Sequence, residues 1–587
     1  MGAALLYNTA ADWVYWKYDD VEHMTVAQNF MLGKGLLIET IDKDASNWKT
    51  NIPDLEKFDQ ISSHLRSKLP LYFVFLSGWL YITNAKLSDL YLQSTIFNFI
   101  LSAISIVLFY YLVKIRFGPL FAPFSAILLA SMPGFLWFAV RVRPDVLSFI
   151  FMILTVYFAS KQISVQNTVL TGIFIALAHF SHPTGLFVGL AIIIFYLLKK
   201  KTKLTLVLIG TWIAILIPWL VRNYLIFGDS LQGTGIPIPR NIQLYLGLIS
   251  PDVPNYNVNE VGNFSMISIV DTVSGLIKEF SDLYGMESFL IFITFSIFAF
   301  IAVSKFMNIS FNKKIIILVG IMTYSFIVFS TFIFLSENDY LYLQILIFFI
   351  LPLSAFLVIC VNKNFKDALS VDKNDTIAII GLITILSLLV YFFLAQVTGR
   401  VTPEVRFLIQ PFYFLIPLSL LGISRILNTT LSFLDRSIRS KIILISFIII
   451  TISLSGTLLV TGINSINSFQ KQFAEKDFQI DMHQWMNSNI EEDSKIASDL
   501  PHIVNLRTGL ESVNFAHSLM DVPSYEKWII KKFDIDYLVF YYYADHYPYE
   551  LYNLDLGNIH LKKVYEGNDG GLIYKVLLDD SSNLNVR

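Results

Sequence analysis

The chain contains 587 residues, of which 55% are hydrophobic and only 15% are charged, a balance that excludes a soluble globular protein and indicates a membrane protein. The formal net charge of -2 provides no basic surface for nucleic acid. The sequence lacks a phosphate-binding P-loop, a strand-flanked Gly-x-Gly-x-x-Gly and a His-Glu-x-x-His motif, which argues against nucleotide-driven pumps, dehydrogenases and zinc proteases. The single cysteine, Cys360, rules out an intrachain disulfide and a structural cysteine-zinc site.

Long apolar runs predict membrane-spanning helices, because a span needs about 20 predominantly apolar residues and must satisfy its backbone hydrogen bonds internally. The predicted fold is an all-α polytopic membrane bundle of about 12 to 13 transmembrane helices. The twelve runs cover residues 90–113, 118–139, 145–160, 168–181, 183–198, 204–224, 287–306, 314–335, 340–361, 376–397, 406–424 and 441–463.

The distribution of basic residues predicts the orientation of this bundle. With twelve spans, seventeen lysines and arginines lie on one set of connections and seven on the other, although the second set is longer. Basic residues accumulate on the cytoplasmic side of a membrane. This rule predicts that residues 1–89, 225–286 and 464–587 lie outside. The fourth and fifth runs meet near Pro183 and would form one bent span in an alternative topology, which the charge distribution disfavours.

The first predicted outer loop covers residues 12–89. Met1–Ala11 is too short to span a membrane and does not resemble a signal peptide, so we interpret it as the end of a first transmembrane helix whose beginning is missing from this sequence. Within the loop, Asp19–Leu32 has a helical apolar stripe that ends at a glycine pair, and Pro70–Thr83 suits a helix at the membrane interface.

A small α/β domain is predicted to follow the membrane region. The composition becomes polar from about Asn464, which divides the chain into a membrane domain, residues 1–463, and an extracytoplasmic domain, residues 464–587. Strand-like runs occur at Lys495–Ser498, Asp536–Tyr543 and Gly571–Leu578, after a helix through Trp485.

Ionisable residues cluster at the predicted outer ends of the spans rather than in their interiors. This distribution argues against a polar pathway through the membrane and favours a site at its outer surface. Each group also has a simpler interpretation, as a helix-start carboxylate, an interfacial anchor, a capping histidine or a snorkelling arginine. The candidates are Asp19, Asp20, Glu22, Arg141, Arg143, Asp145, His182, Arg222, Arg400, Glu404 and Arg406.

Carboxylates that face several cations at a lipid surface suit the transfer of a group from a lipid phosphate to a hydroxyl. A carboxylate takes the proton of the acceptor, and arginines stabilise the charge of the leaving phosphate. Because no nucleotide-sugar pool exists outside the cell, a polyprenyl-phosphate donor reached from within the membrane is the expected substrate.

Four stretches resemble motifs of the GT-C superfamily of integral membrane glycosyltransferases, which includes protein O-mannosyltransferases and lipid A aminoarabinose transferases. Similarity covers most of the membrane region, although each motif is short. The stretches are Asp19-Asp20 with His23, Ala27 and Gly33-Lys34-Gly35; Lys68-Leu69-Pro70-Leu71-Tyr72; Arg141-Val142-Arg143-Pro144-Asp145; and a scattered set with His182-Pro183, Pro218 to Asn223 and Arg406-Phe407 through Pro411.

The resemblance implies that Asp19 is the catalytic base, that Asp20 stands where a glutamate is usual, and that Asp145 helps to complete the site. We assign Arg143, Arg222, Arg406 and His182 to the donor phosphate from their charge and position. Carboxylates of this kind suit magnesium or manganese, but their spacing does not require a metal ion. The Trp-Trp-Asp-Tyr-Gly motif typical of the oligosaccharyltransferase branch is absent, which disfavours en bloc glycan transfer to asparagine.

The predicted function is therefore transfer of a sugar from a polyprenyl-phosphate donor to a hydroxyl of a protein, lipid or glycan on the outer face of the membrane. Two alternatives remain open at this point. A secondary transporter predicts paired halves and a polar site at mid-membrane. A non-catalytic membrane scaffold would act through its outer binding domain.

Overall fold

A computed structural model provides the structure. It describes residues 18–36, 69–86, 89–231, 248, 375–398, 406–474, 479–498, 501–514, 530–531, 533–541, 559–567 and 571–578. Met1–Ala11 and the spans predicted at 287–306, 314–335 and 340–361 lie outside these residues.

The described part of the membrane region is helical, and its helices coincide with nine of the twelve predicted spans. They are α1 (Tyr18–Met31), α2 (Leu71–Thr83), α3 (Leu90–Arg116), α4 (Phe121–Ser131), α5 (Pro133–Ala139), α6 (Asp145–Ala159), α7 (Val165–Ser181), α8 (Thr184–Leu198), α9 (Thr202–Phe227), α10 (Asp375–Thr398), α11 (Arg406–Tyr413), α12 (Leu415–Thr430) and α13 (Arg436–Ala474).

Among the described residues, four helices are long and apolar enough to cross a membrane singly, and a fifth span is formed if the bent pair α4–α5 is counted. This pair bends by 66° at Met132, before a proline at the start of α5. The helices α6, α7 and α8 are apolar but shorter than a full span. The molecule is a multi-pass membrane protein.

The helices α7 and α8 are separate and pack against each other. Their connection contains His182 and Pro183, and Gly185 stands at the start of α8. A methyl group added at Gly185 would lie 2.3 Å from the backbone nitrogen of His179 and 2.4 Å from the carbonyl carbon of Ala178. Only glycine permits this close approach, which fixes the position of the connection.

A five-stranded mixed sheet forms the carboxy-terminal region. Its strands are β1 (Lys495–Ser498), β2 (Glu511–Asn514), β3 (Tyr537–Phe540), β4 (Ile559–Glu566) and β5 (Leu572–Leu578), in the spatial order β2-β1-β3-β5-β4. Strand β1 pairs in parallel with β2 and β3, and β5 pairs antiparallel with β3 and β4. Two helices accompany the sheet, α14 (Gln479–Asn489) and α15 (Pro501–Thr508).

Three of these strands are where the sequence predicts them, whereas β2 and β4 were missed. The short β2 contains Glu511, Ser512 and Asn514, which are poor strand formers. Along β4 the side chains are mostly exposed, so its hydrophobic alternation is weak. The predicted domain boundary at residue 464 falls within the continuous helix α13. The helix α15 packs against α1, which bears Asp19 and Asp20.

The buried His483 is expected to make the carboxy-terminal domain sensitive to acid. Burial, reinforced by the charge of Arg507, lowers the pKa of His483 from 6.5 to about 3. The ring hydrogen-bonds the hydroxyl of Tyr541 at 2.8 Å. Between these pH values the unfolded chain binds a proton that the folded chain does not, so stability falls by about 1.4 kcal/mol per pH unit as the pH decreases from 6.5 to about 3.

Hydrogen exchange of the β3 amides in the full-length protein measures this effect. At pH 4.5 we expect the β3 amides to exchange faster than the ordinary pH dependence of exchange predicts. This excess in the exchange rate should be smaller in His483→Gln, because the glutamine side chain does not titrate. An equal excess in both proteins would assign the acid sensitivity to other groups.

Candidate active site

One face of the helix α1 is buried in the core and carries polar side chains. Asp20, His23 and Ala27 lie on successive turns and are buried, with the Asp20 side chain 1% exposed. The helix ends as the sequence predicts, because Gly33 adopts a φ of +76° and the following amide of Lys34 returns to the carbonyl of Asn29 at 2.9 Å. This face packs on α2.

Two arginines from the loop between α5 and α6 hold Asp20. The Nε atom of Arg143 donates to Oδ1 of Asp20 at 3.0 Å, and Nε of Arg141 donates to Oδ2. The Arg141 guanidinium also lies 5.1 Å from the centroid of the Trp137 ring. All three charged side chains are buried. Burial of these charges is tolerated because they are paired and hydrogen-bonded.

The loop that carries these arginines is fixed by side chains from two other helices. Asn98 on α3 donates through Nδ2 to the carbonyl of Arg143 at 3.0 Å and to that of Arg141. Its Oδ1 accepts from the hydroxyl of Tyr72 at 2.8 Å. Nδ1 of His23 lies 2.8 Å from the carbonyl of Val142. Three consecutive carbonyls of the loop are therefore held by buried side chains.

Asp145 begins α6 and belongs to a second, adjoining set of polar contacts. Its Oδ1 accepts from Nε2 of Gln410 at 2.9 Å and lies 3.9 Å from Nε2 of His182. The Oε1 of Gln410 accepts from the Thr184 hydroxyl at 3.0 Å. In turn, Nδ1 of His182 lies 3.0 Å from the same hydroxyl. The set joins α6, α8, α11 and the α7–α8 connection.

The buried Tyr72 hydroxyl is influenced by the negative charges of both Asp20 and Asp145. Burial, followed by the negative charges of Asp20 and Asp145, raises the pKa of Tyr72 well above its ordinary value of 10. The phenol therefore stays protonated and serves as the hydrogen-bond donor to Asn98. Asp20 and Asp145, 125 residues apart in the sequence, thus act on one buried hydroxyl.

Of the candidates named from sequence, Asp20, Arg141, Arg143, Asp145 and His182 meet in these two adjoining sets. Arg222 occupies a different setting on α9, where its guanidinium lies 4.3 Å from the Trp219 ring centroid and donates to Oδ1 of Asn223 at 2.9 Å.

The backbones of Asp19 and Arg406 lie in the first turns of α1 and α11, but their side chains are outside the described part of the molecule. Asn98, Tyr72, Thr184 and Gln410 were not predicted as site residues. For Asn98 and Gln410 a signal existed, since each is a carboxamide with apolar neighbours on both sides in the sequence of an apolar run.

Asp20 is poorly suited to bind a divalent cation, because each of its oxygens accepts from a guanidinium group. The described residues contain no group of three or more histidine, cysteine, aspartate or glutamate side chains that could hold a metal ion.

Residues 68–222 match the family model described as dolichyl-phosphate-mannose-protein mannosyltransferase. The matched segment contains α2 and the Arg141–Asp145 loop and extends to Arg222. Comparison with curated protein sequences gives no significant match.

The structure of ArnT from Cupriavidus metallidurans bound to undecaprenyl phosphate aligns with 98% of this chain and 96% of that chain, at a TM-score of 0.50 and 9% identity. The chain has the GT-C fold. Two further structures align at a TM-score of 0.46. One is the apo state of the same ArnT, at 10% identity over 95% of this chain and 93% of that one. The other is an oligosaccharyltransferase from Archaeoglobus fulgidus, at 12% identity over 92% and 69%.

The GT-C fold confirms the predicted fold class, a helical membrane bundle followed by a small α/β region. Placement of that region outside the cytoplasm remains a prediction from charge. Within the GT-C fold, the two polar sets are built from helices that the sequence separates widely, since Asp20 and Arg141 lie 121 residues apart and Asp145 and Gln410 lie 265 apart.

Proposed function

We propose that this protein is a multi-pass glycosyltransferase that moves a sugar from a polyprenyl-phosphate donor to a hydroxyl group on the outer face of the membrane. The observation that carries the proposal is the burial of Asp20, Arg141, Arg143 and Asp145 in two adjoining hydrogen-bonded sets, in a chain with the GT-C fold. Buried ion pairs add little net stability, because the cost of removing the charges from water offsets their attraction, and this favours a functional role for the set.

In the proposed reaction the acceptor oxygen attacks the anomeric carbon of the sugar. The bond between that carbon and the phosphate oxygen breaks, and polyprenyl phosphate leaves with the electron pair. Asp19 takes the proton of the acceptor hydroxyl as the general base. Asp19 suits this role better than its neighbour, because both oxygens of Asp20 are engaged by arginines. Asp20 then serves to position those two arginines.

The negative charge that develops on the leaving phosphate needs cationic donors in a partly dry environment. Arg143 and His182 are candidates for this role near Asp145, with Arg222 and Arg406 as candidates from α9 and α11.

The test uses purified full-length protein in nanodiscs with a panel of radiolabelled polyprenyl-phosphate sugars and a cell-envelope extract as the source of acceptors. We expect label to leave the lipid and to appear on an acceptor, with release of polyprenyl phosphate. Asp19→Asn should lower the rate by at least about 100-fold, as expected for loss of a general base. Glu492→Gln removes an exposed carboxylate and should leave the rate unchanged.

If no donor releases its sugar and sealed vesicles that contain the protein take up a solute, the protein is a transporter rather than a glycosyltransferase. Full activity of Asp19→Asn would remove the base assignment but not the transferase. A scaffold would show neither transfer nor uptake.

A further inference from the structure

Gln410 is a polar residue in an apolar setting. Its side chain is 1% exposed and lies on α11 between the buried Ile409 and Pro411. Burial of an unpaired carboxamide in an apolar environment is unfavourable. The residue is accommodated here because both ends of the carboxamide have partners, Asp145 for the nitrogen and Thr184 for the oxygen.

The direction of each hydrogen bond follows from the chemistry of the groups. A carboxylate only accepts, so the Gln410 amide nitrogen faces Asp145 and its oxygen faces Thr184. The oxygen of a carboxamide also only accepts, so the Thr184 hydroxyl donates its single proton to the Gln410 oxygen. The hydroxyl must then accept from Nδ1 of His182, 3.0 Å away.

These constraints place a proton on Nδ1 of His182. The backbone amide of Thr184 lies 3.4 Å from Nδ1 and would favour an unprotonated Nδ1, but this is the longer contact. The other ring nitrogen, Nε2, faces Oδ1 of Asp145 at 3.9 Å. The chain of donors therefore runs from His182 through Thr184 and Gln410 to Asp145, and its two ends face each other.

We propose that Gln410 is a positioning residue for the proposed sugar transfer, because it orients the Asp145 carboxylate and, through Thr184, fixes the orientation of the His182 ring with a proton on Nδ1. This inference rests on the proposed function. Gln410 itself acts through Asp145 and His182. Its loss should therefore affect the reaction step more than the binding of the lipid donor.

The test compares Gln410→Met, which keeps the length of the side chain but removes both hydrogen bonds, with Gln410→Glu. In Gln410→Glu a carboxylate faces Asp145 at neutral pH, and the two favour sharing one proton as the pH falls. Thr155→Val is the matched control. Thr155 is buried on α6, the helix of Asp145, and its hydroxyl bonds only the carbonyl of Phe151 among the contacts of the described residues.

We expect Gln410→Met to lower kcat at least 10-fold with a KM for the lipid donor within twofold of wild type. Gln410→Glu should be similarly impaired at pH 8 and should recover at least fivefold relative to wild type at pH 6. Thr155→Val should match wild type throughout. Activity of Gln410→Met equal to that of Thr155→Val, or a Gln410→Glu to wild-type ratio that does not change with pH, overturns the inference.

A second readout separates this inference from the transferase activity. The thermal unfolding midpoint of Gln410→Glu should approach that of wild type as the pH is lowered, because a shared proton restores the contact with Asp145. If wild type transfers no sugar, the proposed function fails. A pH-dependent recovery of the midpoint would still support the contact between Gln410 and Asp145, and a pH-independent deficit would overturn it.

Discussion

Replacement of Asp20 by asparagine is expected to cost about 3 to 5 kcal/mol of stability, the usual effect of removing one partner from a buried ion pair. Arg141 and Arg143 would both keep their charges in a buried environment without the carboxylate that now accepts from each. Their displacement would also disturb the loop that leads into Asp145. A shift of about 1 Å in such a site can reduce the rate about 100-fold.

Thermal unfolding in detergent and sugar transfer from the lipid donor measure the two effects. Asp20→Glu keeps the charge that the arginines require, so we expect it to retain more of both stability and activity than Asp20→Asn. Glu492→Gln, which neutralises an exposed acid, provides the baseline. If Asp20→Asn were as stable as Glu492→Gln, the pairing with the two arginines would contribute nothing to the fold.

Among the proposed substitutions, replacement of Asn98 by leucine has the second largest expected effect on stability. The carboxamide is the shared partner of the Arg141 and Arg143 carbonyls and of the Tyr72 hydroxyl. Leucine has the same branched arrangement of side-chain heavy atoms but cannot form these bonds, and each buried polar group left unsatisfied costs about 1 to 3 kcal/mol. We expect a stability loss of several kcal/mol and a fall in kcat of at least about 10-fold, because the loop is no longer fixed.

A matched control for Asn98→Leu lies one turn further along α3. Ser102 is also buried, and its hydroxyl donates to the carbonyl of Asn98 within the same helix. Ser102→Ala removes a local bond and should leave kcat unchanged. Asn98→Asp keeps the acceptor for Tyr72 but loses the donor to the two carbonyls, so we expect it to resemble leucine rather than wild type. Equal kcat values for Asn98→Leu and Ser102→Ala would show that the loop is held by other contacts.

The position of α15 is relevant to the Asp20→Asn experiment. This helix of the carboxy-terminal region packs against α1, on which Asp20 is found. Loss of the Asp20 ion pairs can therefore loosen a contact between the two regions of the chain. Hydrogen exchange along α15 in Asp20→Asn would reveal such coupling, which the activity measurement alone would miss.

The sequence by itself determined the helical architecture of the described membrane region. Runs of apolar residues must form helices in lipid, where no water satisfies the backbone, and this requirement depends only on local composition. The stop of α1 at Gly33 and the positions of β1, β3 and β5 are local in the same sense. The sequence also indicated Asp20, Arg143, Asp145 and His182, since charges beside apolar runs are conspicuous.

Only the tertiary structure decided which of these charges meet. Arg143 lies two residues from Asp145 in the sequence, yet it donates to Asp20, which lies 123 residues earlier in the chain. Asn98 reaches the Arg141 and Arg143 carbonyls only because α3 packs beside their loop. Gln410 reaches Asp145 only because α11 lies near the start of α6. Hydrogen bonding is short-ranged and directional, so its partners depend on packing between distant segments rather than on composition.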